Sequence, residues 1–154
     1  MLSALFSLNG YQTGVATIPL AFFCTNYLPM LVSTKSVVRR VGLARFNVSH
    51  RDCEKFAKDE ATKAQLRRAN AAMANGAEAM TLYGPAVVLA IFTGVHPDSV
   101  STACELFVLS RFLYTFAYVF GDTPNKALIR SIVWAGGLAS TMFLFAKVIT
   151  KLNA

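Results

Sequence analysis

The sequence predicts an all-α integral membrane protein folded as a four-transmembrane-helix bundle, and three observations carry that expectation. The first is composition: 55% of the 154 residues are hydrophobic, only 15% are charged, and twelve are Phe, with a mean hydropathy of +0.46. A soluble domain is about 45–50% apolar and about 25% charged. The second is four apolar runs, each near the ~20 residues that a bilayer-spanning helix needs. The third is a strongly basic loop between the first run and the rest. A chain of this length defaults to one domain, here 1–154. It has too little polar surface to bury four such helices in a soluble fold.

The same numbers exclude several classes. The apolar content rules out a disordered or collagen-like chain. Cys24, Cys53 and Cys104 are too few and too scattered for a disulfide framework. They form no CxxC pair, so neither a structural zinc site nor a redox dithiol is supported. Cys24 and Cys104 read as small apolar filler.

The first span, 11–32, carries no charge. Its Pro19 and Pro29 are tolerable in a membrane helix whose neighbours satisfy the freed backbone. Met1–Gly10 is uncharged and has no Arg-rich transit segment, so Tyr11–Val32 reads as a retained span. Loop 33–70 follows. From Lys35 to Arg68 it holds ten cations and four anions, which is +6 of the chain's +7. A nucleic-acid interface would interleave such charge with aromatics, and this stretch offers only Phe46 and Phe56. The positive-inside rule explains it better and puts the loop on the cytosolic side or its organellar equivalent.

Ser49 and Asp52 resemble a helix-capping box. From there to Ala74 the chain is rich in Ala, Lys, Glu, Arg and Gln and lacks Gly and Pro. The second membrane helix is therefore expected to begin in water and enter the bilayer as span 71–95. Turn residues at 94–99 precede a third span, 100–121, interrupted by Glu105 and Arg111. A second turn at 121–126 leads to the fourth span, 127–149, whose Arg130 and Lys147 lie near its ends and can snorkel. With four crossings, loop 33–70 and turn 121–126 share one side.

Ionisable groups inside a span are expensive and mark function by default. Glu78 lies seven residues into its span, about 10 Å below the loop face at ~1.5 Å per residue. Asn75, three residues earlier, shares its face. Arg111, Tyr114 and Tyr118 recur at helical spacing on one face of the third span. These five residues are expected to converge on a pocket open to the basic-loop side. A plain Glu78–Arg111 ion pair that fixes helix packing is the alternative. Glu105 falls on a different face. His50 and His96 sit in loops without a second ligand at useful spacing, so no metal site is expected. No Ser-His-Asp set or Gly-rich phosphate loop is readable.

Four stretches resemble the MAPEG family, the membrane-associated proteins in eicosanoid and glutathione metabolism. Arg40-Val41-Gly42-Leu43-Ala44-Arg45 is similar to the basic segment after the family's first helix. Asn75-Gly76-Ala77-Glu78 matches its Asn-x-x-Glu in the second helix. Arg111 to Tyr118 matches the Arg-x-x-Tyr-x-x-Ala/Gly-Tyr of the third, and Arg130-Ser131 the Arg-Ser that opens the fourth. The resemblance implies a homotrimer of four-helix protomers with glutathione, the co-substrate, bound between neighbouring subunits near the cytosolic face and a lipophilic second substrate. The membrane is expected to be that of the endoplasmic reticulum or mitochondrion if the protein is eukaryotic.

Carried over, Asn75, Glu78, Arg111, Tyr114 and Tyr118 would bind glutathione. Arg130 would stabilise its thiolate, with Ser131 or Tyr114 as hydrogen-bond donor. The implied activity is that of a glutathione transferase or peroxidase acting on lipophilic electrophiles or lipid hydroperoxides. Departures are Ala71, where catalytic members usually show Arg, Ala79 after the Glu, and a proline displaced to Pro85. They favour the alternative, a non-catalytic subunit of the same fold within a larger, for example organellar, membrane complex.

Overall fold

The computed structural model describes residues 7–32, 57, 59–121 and 123–153, and its described residues contain long helices and no strand. Helix α1 spans Gly10–Asn26, α2 Glu60–Phe92, α3 Pro97–Val119 and α4 Pro124–Leu152. The basic segment 40–45 and the cap expected at Ser49–Asp52 lie outside the described residues.

Each helix starts where local chemistry satisfies or removes its orphan N–H groups. Asn9 and Gln12 cap α1 reciprocally, side chain to backbone, at 2.9 Å each way. The first span then keeps helical structure over 28–32 after a break at Tyr27. Pro29 follows two residues later and has no N–H to give the carbonyl of Thr25. At α2, the Asp59 side chain accepts from the Thr62 backbone at 2.8 Å. From there the helix runs unbroken for 33 residues, about 50 Å, across the position where the apolar run begins. Helices α3 and α4 both open on the proline of the preceding turn, the first helical position where its fixed φ costs nothing. Gly94, at φ +70°, turns the chain out of α2, and only glycine takes that conformation cheaply.

The core is apolar, but it also takes in hydroxyls and a charge, while large apolar side chains face outward. Thr13, Thr17, Thr25, Ser110, Arg111, Thr115, Ser140 and Thr141 are buried, while Phe22, Phe92, Leu106, Phe112, Leu128, Ile132 and Phe143 are exposed. Exposed apolar side chains occur on all four helices. Pro97–Val119 and Asn125–Leu152 are each long and apolar enough to cross a bilayer. A contiguous apolar exterior of this extent suits lipid and not water.

Helix α3 is the hub and packs against α1, α2 and α4, while α2 also touches α1 and α4. Tyr83 of α2 stacks on Phe107 of α3, with centroids 3.7 Å apart, and its hydroxyl meets the Thr17 hydroxyl of α1 at 2.6 Å. Thr115 donates to the Cys24 carbonyl at 3.1 Å. Gly76 lets α1 and α2 approach closely: a Cβ there would stand 2.7 Å from the Thr25 Cβ.

Candidate functional site

Three helices supply the residues that the sequence singled out. Asn75 and Glu78 project from α2, Tyr114 and Tyr118 from α3, and Arg130 and Ser131 from α4. Together with Trp134 and Ala135 they line one open groove of about 500 Å³. It lies toward the end where α3 stops and α4 begins. There Arg68 of α2 donates through Nε to the terminal Val119 carbonyl at 3.2 Å, an orphan acceptor of the helix end.

Within the groove the contacts form a chain. The Asn75 amide donates to the Tyr114 hydroxyl at 2.8 Å. The Tyr114 oxygen is therefore an acceptor there, and its own O–H proton points elsewhere. The rings of Tyr114 and Tyr118 meet at a tilt, centroids 5.2 Å apart. The Arg130 guanidinium stands over the Tyr118 ring, 4.2 Å from its centroid, so one face of the cation is held by a π-system. Ser131 donates back along its helix to the Ala127 carbonyl at 3.2 Å, which occupies its hydroxyl proton. Glu78 is exposed on the groove wall and has no ionic partner among the described residues.

Arg111 stands apart from this set. It is 1% exposed and lines a second, smaller cavity of about 190 Å³ behind the groove, which shares Asn75, Glu78 and Trp134 with it. Its Nε donates to the Ser110 hydroxyl and its Nη2 to the Trp134 backbone carbonyl, both at 3.3 Å. Nη1 has no partner among the described residues. The guanidinium lies between the rings of Phe107 and Tyr114, 5.2 and 5.1 Å from their centroids. The Glu78–Arg111 ion pair is not formed. Glu105 lines a different cavity, of about 440 Å³, whose other walls include Leu20, Cys24, Leu109 and Phe112. Among the described residues no group of three or more His, Cys, Asp or Glu could hold a metal ion.

Two residues were not picked out as site residues by the sequence. Trp134 borders both cavities, and its position one turn beyond Arg130 is the signal that would have found it. Gly137 abuts Arg111: a Cβ there would meet Nη2 and the Ser110 hydroxyl in hard overlap. In the sequence it is only one of several small residues on the last helix.

Buried hydroxyls, an apolar exterior and a polar groove near one helix end define a helical membrane protein with a candidate ligand site. The MAPEG family model matches residues 15–150, nearly the whole chain, and the protein belongs to the MAPEG family. No curated protein and no solved structure matches it significantly.

Proposed function

We propose that the protein is a glutathione-dependent transferase or peroxidase for lipophilic electrophiles or lipid hydroperoxides, and that the groove between α2, α3 and α4 is its glutathione site. One observation carries the reading. A guanidinium pinned over Tyr118 and a tyrosine hydroxyl whose oxygen is already bonded by Asn75 line the same groove. Both can stabilise a thiolate, the first by charge and the second by hydrogen bonding. A free thiol has a pKa of about 8.5, and bringing it near 6.5 takes about 2.7 kcal/mol of preferential stabilisation. A partly desolvated guanidinium supplies energy of that order.

The donor set fits the tripeptide in part. Arg130 suits the thiolate, Glu78 the ammonium group, and Asn75 the peptide backbone. With the Ser131 proton already committed to Ala127, Tyr114 is the better hydrogen-bond donor to sulfur. Arg111 contributes from behind the groove and not from its wall. Among the described residues the groove wall holds no second cation for the tripeptide's carboxylates, and Ala71 stands where the family resemblance leads one to expect Arg. Glutathione binding is therefore weak.

The surrounding assembly follows from the same reading. The chain is a single membrane domain whose four helices all cross the bilayer, with loop 33–70 on the cytosolic side and three copies in a trimer. The lipophilic substrate arrives through the lipid. Ala71 and Ala79 favour a second reading, a non-catalytic subunit of a larger membrane complex.

Calorimetric titration of glutathione, beside a conjugation assay with a small aromatic electrophile, separates the two readings. Ala71→Arg adds a charge-assisted contact worth about 1.5–3 kcal/mol, so it tightens binding roughly 10- to 150-fold. Arg130→Ala lowers turnover about 100-fold, the loss of about 2.7 kcal/mol, with binding within about twofold. If neither wild type nor Ala71→Arg binds or turns over glutathione, the enzyme reading fails and the structural one replaces it.

A further inference from the structure

Arg111 is the largest fully buried side chain, and no carboxylate pairs with it among the described residues. A buried charge without a counter-ion is expensive, and replacing it with apolar atoms of similar size is often neutral or stabilising. What it does here is written in its neighbours. Phe107 and Tyr114, on the turns before and after it in α3, flank the guanidinium. Between them it meets the α4 backbone, where Nη2 holds the Trp134 carbonyl. That contact depends on Gly137, because a Cβ there would overlap Nη2 and the Ser110 hydroxyl. Four residues before Trp134 is Arg130, on the same face one turn away.

We propose that Arg111 is a positioning residue that sets the register of α4 on α3. It reads the missing side chain at Gly137 and the carbonyl of Trp134, and so holds Arg130 and Trp134 against Tyr114 and Tyr118. A register key is the best-attested use of a costly buried polar group. Slipping α4 so that Leu138 takes the place of Gly137 would bring a Cβ onto the guanidinium, and a slip in either direction would carry Arg130 off Tyr118. The effect on turnover rests on the glutathione reading above; the effect on helix register does not.

The chain has a single Trp, residue 134, so its indole N–H gives one proton–nitrogen resonance that reports on the α3–α4 seam. Arg111→Met removes the key, and Gly137→Ala blocks it while keeping Arg111. In both, the indole signal should split into two or more resonances as α4 samples several registers. The thermal midpoint of Arg111→Met in detergent should stay level or rise, which a residue serving only stability would not allow. Turnover should fall about 10-fold or more, with glutathione affinity within about twofold.

A single indole resonance in both variants overturns the proposal. So does a glutathione affinity that falls in step with turnover, since that marks a direct ligand contact. Should Arg111→Met fail to fold, Gly137→Ala decides. If the wild type neither binds nor turns over glutathione, the functional reading falls while the indole spectra still test the register.

Discussion

Where α1 meets α2 and α3, backbone lies close to backbone; where α4 meets α3, a guanidinium stands between them. In the first seam Gly76 admits Thr25, Gly10 admits the Pro97 carbonyl, and the hydroxyls of Thr17 and Tyr83 meet in the interior. In the second, Arg111 spans from α3 to the Trp134 carbonyl, and much of α4 faces outward, with Leu128, Ile132 and Ile149 all exposed. The first seam holds by close fit. The second is the most extensive helix–helix seam among the described residues and carries a buried charge within it, and the groove with its candidate chemistry lies along it.

The largest effect is expected at the tight seam. Gly76→Val would set a branched side chain against Thr25, whose Cβ and carbonyl lie 2.7 and 3.1 Å from the new Cβ. These are backbone and near-backbone atoms that cannot move aside. Overpacking of this kind costs about 1–3 kcal/mol, so the unfolding midpoint in detergent should drop clearly. An unchanged midpoint would mean that α1 and α2 are free to separate, and the contrast between the two seams would be lost.

The opposite case is Gly136, where a Cβ would meet nothing within 4 Å. Alanine in a helix interior is favoured over glycine by about 0.8–1.0 kcal/mol, so Gly136→Ala should stabilise by up to about that amount. A loss of stability instead would show that this outward face of α4 is covered by another molecule in the membrane. The same unfolding measurement thus tells a lipid-facing surface from a contact face.

Gly76 also shows how far the sequence could be read. As part of Asn75-Gly76-Ala77-Glu78 it looked like one position of a ligand motif, yet its role is to let α1 approach. The helices themselves were legible, because apolar runs, prolines and turn residues act locally. Asn75, Glu78, Tyr114 and Tyr118 were legible as candidates because a polar group inside an apolar span stands out, and Arg130 and Ser131 only through the family resemblance. Their grouping in one groove depends on which faces of α2, α3 and α4 meet. Spacing along α2 and α3 anticipated that Asn75, Glu78, Tyr114 and Tyr118 converge, but not which face of α4 joins them, since large apolar side chains lie on both the buried and the exposed faces of these helices. Arg111 shares a helical face with Tyr114 and Tyr118 by spacing, but it folds back between Phe107 and Tyr114. The space it occupies there is left by Gly137, 26 residues further along the chain. No local pattern in the third span encodes it.

The smallest effect is expected far from both seams, in the first turn of α2. There Lys63 Nζ donates to the Glu60 carboxylate at 2.7 Å, and this hydrogen bond, reinforced by the lysine's charge, holds the carboxyl below its ordinary range. Glu60 also stands at the helix N-terminus, where negative charge is favoured. A carboxylate whose pKa is lower folded than unfolded adds stability above the unfolded value, near 4.3. That stability disappears as the pH falls through the folded value. The pair is exposed and water screens it, so its contribution is slight. Glu60→Gln should therefore lower the unfolding midpoint slightly at pH 7, by an amount that shrinks as the pH falls through the folded carboxylate's lowered range. A difference that does not shrink as the pH falls would trace the effect to the side chain's shape or hydrogen bonding and not to its charge. One that rivals the Gly76→Val loss would mean that the start of α2 holds the fold as firmly as the tight seam does.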